Sequence, residues 1–405
     1  MKSPRVDCPR YISLSDQSEN RECPQCSHDD SYLSRYVDFC GRFLFGQGAL
    51  KSVADLCKEI GVEERNAVLI NDNNTWRIAG ERFSKFLSKS GFKQVDTTIV
   101  EKGAVRSEVE KARERIRLLK PCLVFGIGGG VNIDIAKASA FLENCRWITV
   151  PTVFAADAMT GIKATFRGET VGVDSKSHEG DYDLAVGPPL ACIVDTDIVK
   201  EAPWRFQAAG FADYISKICA IEDWNLAYSH RKTDVYSEYA IMLAKAQTRY
   251  LMENASRIRR KEDEAFNVFL QAMMNDGFLT QMGGDSRILF GSEHVVAQGL
   301  MEEQIQANVN GLHGEQVAIG TILMAHFQGL DWMAVKKALE EIGAPATAEQ
   351  IGLTDQAVVR TLTRARKINE AWLHDRPDFH TILMEKSMTT ETAVEIATQT
   401  GVIKS

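Results

Sequence analysis

The chain changes its hydrophobic period once, near residue 200, and that change limits what it can fold into. Before it, short apolar runs alternate with helical patterns: Asn66-Ala67-Val68-Leu69-Ile70, Thr97-Thr98-Ile99-Val100, Cys122-Leu123-Val124-Phe125-Gly126-Ile127, Trp147-Ile148-Thr149-Val150 ended by Pro151, and Leu190-Ala191-Cys192-Ile193-Val194. These runs are apolar throughout, so they predict a parallel sheet covered on both faces. Helices are predicted at Thr75 to Ser90 and at 107–120, where Val109, Ala112, Ile116 and Leu119 recur at helical spacing. Residues 164–173 alternate around Arg167-Gly168-Glu169 and predict a hairpin. Beyond residue 200 only helical patterns remain, at 234–260, 263–280, 291–308, 314–328 and 333–343, punctuated by Gly283-Gly284 and Gly343-Ala344-Pro345. The expected fold is an α/β, Rossmann-like, dinucleotide-binding domain over 45–200, followed by an all-helical domain over 201–405. A polar arm over 1–44 precedes both.

Composition narrows the function. Hydrophobic residues make up 44% of the 405, enough for two cores in a soluble protein. The net charge of −8 argues against a nucleic-acid or anionic-membrane partner. No run approaches the ~20 apolar residues of a membrane span. The first twenty residues lack the apolar core of a signal peptide, so the expected compartment is the cytoplasm. Four of the nine cysteines, Cys8, Cys23, Cys26 and Cys40, lie in the arm. Cys23-Pro-Gln-Cys26 with His28 resembles half of a zinc site, but the second pair has no matching spacing, which favours reduced thiols. Cys122, Cys192 and Cys219 sit in apolar runs as small core residues.

Candidate chemistry begins at Gly128-Gly129-Gly130-Val131-Asn132, which ends a buried strand and opens a helix. Such glycines admit close backbone approach by a phosphate, and the helix start offers free N–H groups. A plain tight turn would look the same. Asp134 and Lys137 follow in that helix, as dipole and surface charges on local pattern alone. Asp72 stands just past the first strand, where an acid accepts from ribose hydroxyls and repels a 2′-phosphate; on spacing it equally reads as a turn aspartate. Asp213, His294 and His313 each look like the start of a helix. One carboxylate and two imidazoles suit zinc, iron or nickel, whereas each residue taken singly reads as a cap or core residue.

Five segments, in order, resemble the sn-glycerol-1-phosphate dehydrogenases, relatives of glycerol dehydrogenase, the iron-dependent alcohol dehydrogenases and dehydroquinate synthase. They are Gly128 to Lys137, Pro151-Thr152-Val153-Phe154-Ala155-Ala156-Asp157, Ala209-Gly210-Phe211-Ala212-Asp213 with Lys217 and Asp223-Trp224, Ser286-Arg287 with Gly291-Ser292-Glu293-His294, and His313-Gly314-Glu315-Gln316-Val317. The resemblance runs from about residue 40 to the end. It implies a divalent metal, zinc or nickel foremost, on Asp213, His294 and His313. It implies NAD or NADP over Gly128, Gly129, Gly130, Val131 and Asn132, with Asp134, Lys137, Thr152, Val153, Phe154, Ala155 and Gly161 nearby and Asp72 at the ribose. Asp157 and Asp213 would contact substrate. Such enzymes reduce dihydroxyacetone phosphate to sn-glycerol 1-phosphate, a phospholipid backbone, by hydride transfer to a Lewis-acid-polarised ketone.

Two positions depart from the family. Gln298 stands one helical turn after His294 where a second histidine is usual, and glutamine has no proton to exchange near neutral pH. Gly161, preceded by Thr160, stands where a serine near the cofactor is usual. Both bear on substrate choice, with Arg287 as the candidate phosphate contact. Another small phosphorylated or phosphonylated ketone, a polyol dehydrogenase and a sugar-phosphate cyclase are the alternatives. A small-molecule substrate and a homo-oligomer are expected.

Overall fold

In the strand Asn66–Asn71, alternate residues enter different cores: Ala67 and Leu69 join one apolar cluster, Val68 and Ile70 another. The strand Leu123–Gly128 does the same, with Leu123, Phe125 and Ile127 on one side and Val124 on the other. A strand buried on both faces needs no polar alternation, which is why these runs read as continuously apolar.

The computed structural model describes residues 39–62, 66–154, 157–167, 181–284 and 286–404. They form two compact units, one within Met1–Val153 and Asp157–Ala202, the other within Phe154–Ala156 and Pro203–Ser405. The first unit holds strands β1 (Phe43–Gly46), β2 (Asn66–Asn71), β3 (Gln94–Ile99), β4 (Leu123–Gly128), β5 (Arg146–Pro151), β6 (Lys163–Arg167), β7 (Asp181–Ala185) and β8 (Ala191–Asp195). Its helices are α1 (Val53–Glu59), α2 (Asn73–Thr75), α3 (Glu81–Lys89), α4 (Arg106–Leu119), α5 (Gly130–Leu142) and α6 (Thr196–Glu201). Six strands make one parallel sheet in the order β1-β8-β5-β4-β2-β3. Phe83 from α3 meets Phe125 of β4 edge-on, with ring centroids 5.0 Å apart, on one face. Val109, Ala112 and Ile116 of α4 cover the other. From β2 the chain runs outward to β3, then returns to β4 on the opposite side of β2. The order therefore reverses between β2 and β4, and open parallel sheets bind ligands at the carboxyl ends flanking such a reversal.

Four details differ from the sequence reading. Of the expected hairpin over 164–173, the first strand is β6, paired antiparallel with β7 from Lys163 opposite Ala185 to Arg167 opposite Asp181, and residues 168–173 lie outside the described residues. The helix expected from Thr75 is present, but it is π-helical over Trp76–Gly80 before it runs on as α3. A Cβ on Gly80 would come within 2.7 Å of the Trp76 ring, so the indole occupies that space. β1 was not read; it is only four residues long and gains its order by pairing with β8. Cys122 is only partly buried, while Cys192 and Cys219 are fully buried.

The second unit is helical: α7 (Trp204–Ile215), α8 (Lys217–Ser229), α9 (Glu238–Glu253), α10 (Ala255–Arg259), α11 (Asp263–Met274), α12 (Asp276–Gly283), α13 (Ser292–Gln306), α14 (His313–Gln328), α15 (Trp332–Ile342), α16 (Asp355–Asp375), α17 (Ile382–Glu385) and α18 (Thr390–Gln399). α14 is buried along nearly its whole length, from Gly314 to Ala325. Its glycines decide how closely its neighbours approach. A Cβ on Gly314 would lie 2.0 Å from the Ala209 carbonyl oxygen of α7, and one on Gly320 would lie 2.3 Å from the Glu293 carbonyl oxygen of α13. Only glycine permits either contact. No helix among the described residues is long and apolar enough to cross a membrane.

Candidate metal centre and glycine loop

The close packing of α14 on α7 and α13 brings three distant residues together. Asp213 lies in the last turn of α7, His294 is the third residue of α13, and His313 is the first of α14. The expected helix-start setting is corrected for Asp213, because α7 begins at Trp204, directly after Pro203. Asp213 Oδ1 is 3.3 Å from His294 Nε2 and 3.6 Å from His313 Nε2. An ion with tetrahedral bonds of about 2.0–2.1 Å holds its ligand atoms about 3.3–3.4 Å apart, so the spacing fits a shared cation. Asp213 and His294 side chains are 14% and 12% exposed and His313 is 54% exposed, which leaves one side open to a small molecule. Burial pushes the Asp213 carboxyl up, but the His294 hydrogen bond and the charges of His313, His294 and Lys217 hold it below its usual range. Burial pushes His294 down, but its hydrogen bonds to Asp213 and Glu293 outweigh that and raise it to about 9.

Each ligand position is braced. Glu293 Oε1 accepts from His294 Nδ1 at 2.8 Å. Asp223, wholly buried, accepts from the Ser292 and Ile382 backbone N–H groups, both at 2.7 Å, and so starts two helices at once. Its carboxyl is raised to about 6 by burial and by the Glu293 charge. Buried Lys217 pairs with Asp276 at 3.0 Å and lies over the Tyr214 ring beside Asp213. Glu315 caps α14 through the Leu312 N–H and is clamped by Arg205 of α7 at 2.6 and 2.7 Å. Glu293, Glu315 and Arg205 carried no role in the sequence reading. The signal available was a carboxylate directly before, or two residues after, each candidate histidine.

Arg287 takes a different place from the one expected. It is 1% exposed, its terminal nitrogens donate to the Asp378 and His380 carbonyls, and its guanidinium lies over Phe379. Phe379 packs on Phe290, and Phe290 on His294. Arg287 thus supports the wall behind His294, with two of its nitrogens committed to backbone carbonyls. Gln298, partly exposed on α13, makes a 3.5 Å contact with Glu302. A second cluster, His230, His380 and Glu385, also gathers within 4.8 Å. Its Glu385 oxygen is 3.0 and 2.6 Å from the two imidazoles. Those are hydrogen-bond lengths, shorter than a shared ion sets, so this cluster reads as two histidines on one carboxylate.

In the first unit, the glycine loop and Asp72 lie at the carboxyl ends of β4 and β2, on either side of the order reversal. Asp72 caps α2, accepting from Asn74 and Thr75 N–H at 2.7 and 2.9 Å. Asn132, 2% exposed, joins the two loops by donating to Asp72 Oδ2 at 2.8 Å. Gly128, at φ 146°, would bring a Cβ within 2.3 Å of that Asn132 amide. Gly129 and Gly130 are different. A Cβ on Gly130 would meet only Ala158 at 3.6 Å, so packing does not demand glycine there, while one on Gly129 would press on Val153 at 3.3 Å. Their bareness leaves space above an uncapped α5 start that has no acid in its first turn, a setting suited to a pyrophosphate. Val131 is exposed and Asp134 is partly buried. Lys137 is corrected from a surface charge: it is wholly buried and donates to the Lys163 carbonyl at 2.9 Å. Thr152 N–H donates to the Gly128 carbonyl at 3.1 Å, beside Val153, while Phe154 and Gly161 are buried. Cys8, Cys23, Cys26, His28, Ala155 and the Asp157 side chain lie outside the described residues.

Comparison with known proteins places the chain in a family. Residues 44–203 match the family model for iron-containing alcohol dehydrogenase. The chain is 34% identical over 368 residues to glycerol-1-phosphate dehydrogenase [NAD(P)+] of Hyperthermus butylicus, covering 91% of this chain and 99% of that one. The chain belongs to the glycerol-1-phosphate dehydrogenase family. The family member of Methanosarcina mazei is 32% identical over 362 residues, 89% of this chain and 94% of that one. Among solved structures, glycerol dehydrogenase from Schizosaccharomyces pombe aligns with a TM-score of 0.70 at 20% identity, over 91% of this chain and 90% of that one. Sulfoacetaldehyde reductase from Bifidobacterium kashiwanohense, in complex with NAD+, aligns at 0.67 and 13% identity, over 89% and 97%. These structural likenesses show that the chain shares its fold with both.

Proposed function

We propose that the protein is a metal-dependent dehydrogenase that reduces dihydroxyacetone phosphate to sn-glycerol 1-phosphate with NADH or NADPH, and catalyses the reverse reaction. The observation that carries this is the cluster of Asp213, His294 and His313, with ligand-like spacing, in a chain that spans 99% of a relative of that name. Asp213, His294 and His313 would hold a divalent cation, zinc or nickel foremost, with iron also suited to the donor set. A cation bound there supplies Lewis acidity toward a ketone oxygen.

The chain's own residues do the rest. Asp213 brings a negative charge that offsets the cation, and His313, exposed on one side, leaves a direction for substrate. Gly129, Gly130 and the α5 N–H groups receive the cofactor pyrophosphate, and Asp72 accepts from its ribose. Asp72 already takes three hydrogen bonds, so it has about one lone-pair direction left for a hydroxyl. A bound nicotinamide cofactor would supply the hydride that reduces the ketone carbon, and the proton that completes the alcohol would come from water. Gln298 orients that water or a substrate hydroxyl without exchanging a proton itself. Asp157 carries over as a substrate contact from the family resemblance.

The test is oxidation of NADH or NADPH by zinc- or nickel-loaded protein, with dihydroxyacetone phosphate beside unphosphorylated dihydroxyacetone. Oxidation with the phosphate ester, at least about a hundredfold faster than with dihydroxyacetone, is expected. Equal rates would point to a polyol dehydrogenase. Turnover of a sugar phosphate with no net loss of reduced cofactor would point to a cyclase.

A further inference from the structure

We infer that Glu293 is a positioning residue of the metal centre, fixing His294 with its proton on Nδ1 so that Nε2 is free to bind the cation that Asp213 and His313 would share. This rests on the reading of Asp213, His294 and His313 as that centre. Glu293 is wholly buried as the second residue of α13. Its Oε1 accepts from the Gly291 N–H at 2.7 Å and from His294 Nδ1 at 2.8 Å. A neutral imidazole carries one N–H. Once Nδ1 donates that proton to a carboxylate, Nε2 is left as the only metal-ligating nitrogen, and Nε2 is the atom 3.3 Å from Asp213.

The surroundings are shaped to keep this carboxylate in place. A Cβ on Gly291 would fall 3.0 Å from Glu293 Oε2 and 2.6 Å from Asp223 Oδ2. Glycine at 291 therefore makes room for two buried acids. Asp223 already fixes the start of α13 through Ser292, so a second acid is not needed to begin the helix. The backbone N–H of Gly291 would be met as well by a neutral side chain, at less desolvation cost. The bond that only an anionic acceptor strengthens is the one to His294. It raises the donor strength of Nε2 toward a cation and stops the ring from rotating about χ2.

Three measurements test this: zinc affinity by competition with a chromophoric chelator, melting of the metal-free protein, and long-range 15N–1H correlation of the zinc-loaded histidine rings. Glu293→Gln should weaken zinc binding about 10–100-fold while the metal-free melting temperature stays within a few degrees of wild type. Glu293→Asp, which keeps the charge but shortens the reach, should recover part of the affinity. In the wild type, His294 should bind zinc through Nε2 with Nδ1 protonated, a readout that needs no variant to fold. Ligation through Nδ1, or wild-type affinity in Glu293→Gln, would overturn the inference. So would a loss of melting temperature that accounts for the lost affinity. Asp213→Ala separates the two levels. If it too binds zinc like wild type, the metal-centre reading fails; if it loses zinc and Glu293→Gln does not, only the role of Glu293 fails.

Discussion

His294, raised to about 9 in the metal-free protein, ties cation binding to pH. Below pH 9 a cation must displace its proton, whereas Asp213, held below its usual range, is already ionised. Apparent zinc affinity should therefore rise about tenfold per pH unit from pH 7 toward 9, then level off, with one proton released per ion. Competition titrations at several pH values check this, and a flat profile would show that His294 is not a ligand. The sign for stability is the opposite. A histidine raised from 6.5 to about 9 on folding stabilises the metal-free protein fully below pH 6.5, and that contribution is lost as pH rises through 9. Asp213→Ala should leave a folded protein with at least about a thousandfold less activity and no tightly held metal, read by metal analysis of the purified protein. The three candidate ligand residues lie some eighty and nineteen positions apart, so no spacing rule groups them; only the resemblance of their flanking segments to a family pointed to them, and the structure brings them together. Glu293 was written beside His294, but its burial and its bond to Nδ1 emerge only once α13 packs. Arg287 shows the reverse: a family motif residue whose charge the fold spends on two carbonyls.

At the scale of elements, the glycines separate two kinds of requirement. Gly314→Ala sets a Cβ against the Ala209 carbonyl, forcing α14 away from α7. It should destabilise the protein by about 3 kcal/mol or more and lower metal retention with it, measured by thermal melting and metal analysis. Gly130→Ala meets nothing closer than 3.6 Å within the protein. It should leave melting unchanged or slightly raised and increase the cofactor KM about tenfold, because the methyl occupies space offered to phosphate. An unchanged KM would remove the glycine loop from the cofactor site. The central strands were readable because burial on both faces leaves a continuous apolar run. β1 and β7 were not, because each is a short edge or hairpin strand ordered by its partner rather than by its own pattern.

At the scale of the whole molecule, the change of period near residue 200 corresponds to the passage from a parallel sheet to helices, and each unit carries one candidate site. The glycine loop and Asp72 belong to the first unit, and Asp213, His294 and His313 to the second. The central proposal is that the protein reduces a phosphorylated three-carbon ketone. The most direct measurement is chiral analysis of the product formed from dihydroxyacetone phosphate and deuterated NADH by metal-loaded protein, before and after chelation. The account predicts sn-glycerol 1-phosphate carrying deuterium at C2, with product lost on chelation and restored by zinc or nickel. Formation of the 3-phosphate enantiomer, or turnover that survives complete removal of metal, would contradict it.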